Sequence, residues 1–592
     1  MENKTYNLGF SLIEVLIAMS VFLVISFGIY FSFANVLEVV QRTEDKTLAR
    51  ALLDREIENL RSLAYEEIGV EGGYPAGILP ASRELIYENK QFTINAYVRN
   101  VDDPFDGVTG GSPNDTAPAD YKVVELQISC ANCLNFISTG ITTWVGPEGL
   151  ETASNNGSLF IHVFDANGVV VAGASVVVVN NALNPTITIY DSTDNQGNLK
   201  LVDVPPSING YEIYVSKSGY SSAQTYEPGE ASNPNPVLPH ATVATQNVTE
   251  LSLAIDKVST VNVRTQDFFC DDVGGVKLAL TGERLIGSGP DVLLTEKTIE
   301  TETDGELVLG DLTWDKYTFL DMTSGYDMAG SWLNNSLVVD PDTKQNLFLT
   351  LHPDEGNALL VRVVDETTGE LLGGQSLVGL SKIGFSDSRL TGQWQISQTD
   401  WSSNDYYSQD GNIESEAVPG EISLVEIAPG TYASSTNSWL ISKIYEFGTS
   451  TTEFNSISWE GVEPAQAGQA PIKFQVASND DLGTWTYVGP DGTGSTYFTS
   501  SGTALGDYHD GNRYLRYRVF LNTENVNYTP ILEEVSLNFS SGCVPSSQSF
   551  WPDLSTGTYN IIVTKSGYLT ATSTVDASFG WQQAVVEMTI DE

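Results

Sequence analysis

Hydrophobic and polar positions fall into two regimes along this chain of 592 residues. From Val15 to Leu37 run 23 uncharged, mainly apolar residues. That is enough to cross a hydrocarbon layer of about 30 Å at ~1.5 Å rise per residue. Charges then return, but Val39, Leu48, Leu52, Ile57, Leu60 and Leu63 keep a helical period between them. No Pro or Gly interrupts residues 29 to 68, so the pattern predicts one continuous helix of about 55 residues, on the order of 80 Å long. After a Gly/Pro-rich turn the period drops to two. RELIYENKQFTINAYVRNVDD and YKVVELQIS read as strands on either side of the polar loop DDPFDGVTGGSPNDTAPAD.

Downstream a spacing recurs three times. Tyr211 and Tyr220, Tyr317 and Tyr326, and Tyr559 and Tyr568 are each nine residues apart, with EIYVSKSGY, TFLDMTSGY and NIIVTKSGY closing the units. Turns at Thr193-Asp194 and Thr303-Asp304 precede the first two, and FWPDL stands in the equivalent place in the third. The openings SLFIHVFDANGVVVAG and ALLVRVVDETTGELLGG match in their Asp-to-Gly offset, and the second unit opens as TVNVRTQDFFCDDVGG. Short alternating strands without helical pattern predict small β-sandwiches. The third unit is split, because its opening strands end near Phe385 and its GTY…SGY half resumes after Cys543. An insertion of that size is tolerated in a surface loop when it folds as a compact domain.

The expected fold class is therefore mainly β and multidomain, with one long N-terminal helix. Its order is a leader at 1–9, the helix at 10–68 and a small β head at 69–151. Sandwiches follow at 156–256, 257–352 and 356–386 plus 542–592, with an inserted domain at 387–541.

Composition narrows the function. With 28 Lys plus Arg against 76 Asp plus Glu, the formal charge is −48, which disfavours nucleic-acid binding. The four cysteines, Cys130, Cys133, Cys270 and Cys543, lack the four-ligand spacing of a zinc site and are disulfide candidates in an oxidising compartment. No HExxH, GxSxG, P-loop or dinucleotide fingerprint occurs, so the expectation is a non-enzyme without cofactor. Asp102, Asp103 and Asp106 are read either as a Ca²⁺ loop or as a solvated acidic loop.

One residue breaks the apolar regime. Glu14 lies at the front of the membrane-length segment, where an unpaired carboxylate costs several kcal/mol. The string Gly9-Phe10-Ser11-Leu12-Ile13-Glu14, after a short polar leader holding Lys4, resembles the processing site of type IV prepilins and pseudopilins. The resemblance implies cleavage between Gly9 and Phe10 by a prepilin peptidase and N-methylation of Phe10. It also implies that Glu14 neutralises the Phe10 amine of a neighbouring pilin subunit during assembly. The pattern of the three repeats resembles carboxypeptidase regulatory-like, or transthyretin-like, domains. The Trp- and Tyr-rich insert resembles discoidin-like jelly rolls. For the insert, Trp485, Tyr487, Asp507, His509 and Arg513 are the candidate ligand-binding residues, with a glycan or a protein as ligand. Together these point to a large minor pilin, held in the cytoplasmic membrane by its single span before assembly and exposed on a surface filament afterwards. A secretion pseudopilin recognising an exported protein, and an unassembled membrane-anchored surface protein, are the alternatives.

Overall fold

The structure is a computed structural model described over residues 12–149, 153–321, 325–332, 336–433, 437–448 and 452–591. It divides into two compact units, Met1–Lys257 with Leu285–Val292, and Val258–Arg284 with Leu293–Glu592. One N-terminal helix is followed by β-sheets.

In the first unit the helix spans Leu12–Arg61. Its apolar first half is bare, Leu12, Phe22 and Phe33 being 83%, 70% and 68% exposed. The second half buries Ala49, Leu52, Leu53, Ile57 and Leu60 against Phe92, Ile94, Val98, Val124, Leu126 and Ile128 of the head sheet. Spacings of three and four put these side chains on one helix face. The changeover falls near Asp45, whose buried carboxylate pairs with Lys90. The helix stops seven residues short of the expected Ile68. Residues 65–68 turn instead, and the Lys122 ammonium donates to the carbonyls of Tyr65 at 2.8 Å and Ile68 at 2.6 Å. That contact satisfies carbonyls that a further helical turn would have paired internally.

The head sheet is antiparallel in the order Ser82–Tyr87, Lys90–Val101, Tyr121–Cys130, Thr139–Val145. Its long central strands alternate buried and half-buried positions, as their period of two requires. Cys130, the last residue of the third strand, is disulfide-bonded to Cys133.

Three sandwiches share one topology. In each, the opening strand pairs parallel with the closing strand and antiparallel with a middle one. The sets are Gly157–Phe164 with Val248–Ala254 and Asn198–Val204, Ser259–Gln266 with Lys344–Pro353 and Glu306–Leu312, and Asn357–Asp365 with Trp581–Met588 and Gln548–Leu554. Each antiparallel ladder carries a bulge at the same place on its middle strand, and each bulge contains an aspartate with positive φ: Asp203, Asp311 and Asp553. Asp tolerates the left-handed region better than most side chains. The repeated tyrosines explain themselves here. Tyr211, Tyr317 and Tyr559 are fully buried, and each hydroxyl donates back to a carbonyl of the preceding turn, Pro205, Thr313 and Ser555 respectively.

The turn equivalence differs from the sequence reading. Thr193 matches Thr301, not Thr303: each accepts a backbone N–H with its hydroxyl, from Ala174 and Val276. Thr391 does the same for the N–H of Ser376, which identifies the third turn. The N–H groups of Val163, Thr265 and Val363 in turn donate to Gly197, Gly305 and Ser547. Ser547, with φ +61°, thus occupies the left-handed position that glycine fills in the other two copies. The inserted domain therefore lies between Gly392 and Ser547, within that one turn. The expected boundary at 386/387 moves accordingly, because Phe385–Leu390 is a sandwich strand paired with Leu377–Lys382.

The insert consists of a six-stranded and a five-stranded sheet around one core. Phe268 and Phe269 of the DFFCDD loop enter that core: Phe268 stacks on Trp394 with ring centroids 4.0 Å apart, and Phe269 on Phe539 at 5.6 Å. Cys270 is disulfide-bonded to Cys543. The insert is thereby clamped within the second unit by three consecutive residues.

Candidate ligand-binding face

The strand Tyr514–Leu521 of the insert divides its side chains by parity. Leu515, Tyr517, Val519 and Leu521 are fully buried in the core. There the Tyr517 hydroxyl accepts from the Trp401 indole N–H at 2.9 Å and donates to Gln398 Oε1 at 2.6 Å, an oxygen that Tyr445 also reaches at 2.6 Å. Arg516, Arg518 and Phe520 take the opposite face.

Register assembles the neighbours on that face. Phe520 lies between Trp439 and Lys473 on the adjacent strands, Arg518 between Ile441 and Gln475, and Arg516 beside Ala477. The 480–500 segment then folds over from the sheet edge. Backbone bridges Val476–Val488 and Phe474–Phe498 hold it, and the Gln475 amide donates to the carbonyls of Gly494 and Thr496, both at 2.9 Å. Gly489 makes this crossing feasible, since a Cβ there would lie 2.3 Å from the Thr496 backbone.

The result is a set of cations interleaved with rings. The Arg516 guanidinium lies 4.0 Å from the centroid of Tyr407 and 4.5 Å from that of Trp485. Arg518 lies 4.1 Å from Tyr487 and 5.5 Å from Trp439, and the Lys473 ammonium 4.3 Å from Tyr497. Among the described residues no carboxylate forms an ion pair with any of the three cations. The Nε atoms of Arg516 and Arg518 are buried without a hydrogen-bond partner. Burial holds the Lys473 ammonium below its ordinary pKa. Cation–π contact recovers part of the cost of desolvating a guanidinium, but it supplies no negative charge.

Of the five residues expected to bind ligand, only Trp485 and Tyr487 come to this face. Arg513 is paired with Glu446, and its backbone N–H donates to Asp480. Asp507 is exposed at the start of the single turn Asp507–His509. His509 is buried, its Nδ1 lying 2.8 Å from the Ser478 hydroxyl, and desolvation pushes its pKa down to about 4. Burial thus favours the neutral form of this core imidazole. Arg516 and Arg518 escaped the sequence reading, although the signal exists: two arginines two residues apart share one strand face, whereas Arg513, three before Arg516, has the opposite parity.

At the other end of the chain, Gly9 and Phe10 lie outside the described residues, and Glu14 falls within the helix. The family described as "Prokaryotic N-terminal methylation motif" matches residues 4–30. The chain has a type IV pilin-like N-terminus. This prepilin-type segment runs straight into the bare half of the helix. No curated protein matches the chain. Solved structures similar to it include the Bacillus anthracis TIE protein, with 11% identity over 86% of this chain and 74% of that one, at a TM-score of 0.16. The shaft pilin SpaA from Lactobacillus rhamnosus GG shows 10% identity over 34% and 98%, at a TM-score of 0.15. GBS52, the minor pilin of Streptococcus agalactiae, shows 12% over 33% and 97%, at 0.17. At these TM-scores the likeness carries no argument about this chain.

Proposed function

We propose that this chain is a large minor pilin, cut between Gly9 and Phe10 by a prepilin peptidase and built sparsely, or at the tip, into a surface filament that displays the insert for adhesion to glycans. The observation that carries the reading is the methylation motif continuing into a helix bare over its apolar half and packed on a head sheet over the rest. Such a helix needs lipid first and neighbouring helices later, since water would leave its apolar surface uncovered. Glu14 then pairs with the Phe10 amine of an adjacent subunit.

The interleaved arginines and rings of the insert support an anionic glycan as the ligand. Rings suit the apolar faces of sugars, and guanidinium groups without a carboxylate partner suit carboxylates or sulfates. In a chain of charge −48 such a face is set apart from its surroundings.

Two measurements test the proposal. Mass spectrometry of sheared filaments is expected to find this chain with N-methylated Phe10, and its confinement to membranes with MENKTYNLG attached overturns assembly. The full chain in detergent is expected to bind polygalacturonate over dextran in a salt-sensitive manner, with binding lost in Arg516→Gln/Arg518→Gln. Retention of an exported protein in place of any polysaccharide favours the secretion pseudopilin.

A further inference from the structure

The loop between the two long head strands gathers carboxylates that are distant in sequence. Asp106, Asp115 and Asp120 each place an oxygen within 4.8 Å of the others. Asp102 stands in the field of both Asp106 and Asp115. Among the described residues, no ion pair involves Asp102, Asp106 or Asp115.

Acidic clusters on a surface are ordinarily solvated, but part of this one is withdrawn from water. Asp115 is only 8% exposed. Its Oδ1 accepts from the N–H of Ala117 at 2.8 Å, while its Oδ2 is buried with no hydrogen-bond partner. Asp102 repeats the arrangement, with Oδ2 accepting from Thr109 N–H at 2.8 Å and Oδ1 buried without a partner. A carboxylate oxygen removed from water with nothing to bond, close to other carboxylates, costs several kcal/mol unless a cation completes it. Asp103 stands apart from the cluster, because its side chain accepts from the N–H of Phe105 and so caps the turn.

We propose that Asp102, Asp106, Asp115 and Asp120 bind one Ca²⁺ ion in the head domain. The oxygen spacing of Asp106, Asp115 and Asp120 fits, since two ligands on opposite sides of a Ca²⁺ at about 2.4 Å are about 4.8 Å apart. The charge fits as well, because four carboxylates suit a hard divalent cation. Four ligands spread along an irregular loop match the adaptable coordination of Ca²⁺ better than the strict octahedron of Mg²⁺. The loop joins strands that carry the helix-packing core, so the ion fixes the segment between Val101 and Tyr121, which is otherwise tied by short backbone contacts such as Asp115 N–H to the Val108 carbonyl at 3.2 Å. Affinity at the level of extracellular modules, a Kd of roughly 10⁻⁴ M, is expected.

The test uses the full chain in detergent, stripped with EGTA, with calorimetric CaCl₂ titration and hydrogen exchange over residues 102–120. One Ca²⁺ per chain is expected, with slowed exchange confined to that loop. Asp115→Asn is expected to weaken binding at least about tenfold. Asp106→Asn, at an exposed position and so safe for folding, is expected to weaken it severalfold. No binding at about 10 mM Ca²⁺ overturns the proposal. So does binding that is unchanged in Asp106→Asn and Asp115→Asn, or equal protection by Mg²⁺.

Discussion

Arg99 Nε of the head sheet lies 3.1 Å from Oδ2 of Asp191 in the first sandwich, and the Asp191 side chain is only 3% exposed. The guanidinium also faces Glu125 at 3.5 Å. Beside it, the Asn100 side-chain amide donates to the Val202 carbonyl at 3.4 Å and Thr188 N–H to the Gly72 carbonyl at 2.8 Å. Head and first sandwich are joined by a charged contact buried among backbone hydrogen bonds.

Burial raises the Asp191 carboxyl from its ordinary 3.8 to about 6, against the opposing pull of Arg99. A raised carboxyl pKa favours folding below the unfolded value, and that contribution is lost as pH rises through the folded one. Asp191→Asn removes this dependence. Relative to the variant, the native chain is expected to lose on the order of 3 kcal/mol between about pH 4 and pH 7. Melting temperatures of both proteins across that range check the sign.

His509 gives the opposite slope in the second unit. Its folded pKa is lowered from 6.5 to about 4, so its contribution is present above the unfolded value and lost as pH falls toward the folded one. Compared with His509→Gln, the native protein is expected to weaken as pH falls from about 6.5 to about 4. An imidazole NMR titration midpoint near the ordinary value would contradict the burial described for it.

Tyr517→Phe is expected to destabilise the insert by about 1–3 kcal/mol, since the Trp401 indole N–H then lacks its acceptor in a dry core. Tyr445→Phe, which removes only one of two donors to Gln398, is expected to cost less. Denaturant melts of the two variants, monitored by tryptophan fluorescence, measure the difference.

Excising Gln393–Ser546 tests whether the insert occupies a turn of an otherwise complete sandwich. Two residues, Asn-Gln, would join Gly392→Asp to Ser547→Gly, restoring the turn of the first copy, with Cys270→Ser removing the orphaned thiol. The shortened chain is expected to keep its β circular dichroism. It is also expected to bind a hydrophobic dye more strongly, because Phe268, Leu360 and Phe550 lose the core they share with the insert. Loss of the sandwich strands on excision would contradict the turn assignment.

The sequence by itself determined what depends on local order. Helix and strand regions follow from hydrophobic period, and the three repeats from tyrosines nine residues apart. The prepilin-type N-terminus follows from a contiguous string. Tertiary structure decided whatever depends on residues meeting from different strands or loops. It ended the helix at Arg61, ahead of a turn whose Tyr65 and Ile68 carbonyls Lys122 binds, and it shifted the turn equivalence from Thr303 to Thr301 because hydrogen bonds, not letters, define the register. It moved the candidate face from Arg513 to Arg516 and Arg518. Strand parity could have been read from the sequence, but which arginine is already paired with Glu446, 67 residues earlier, could not. The acidic loop shows the same division: Asp102 and Asp106 are neighbours in sequence, but folding alone brings Asp115 and Asp120 to them and removes Asp115 from water.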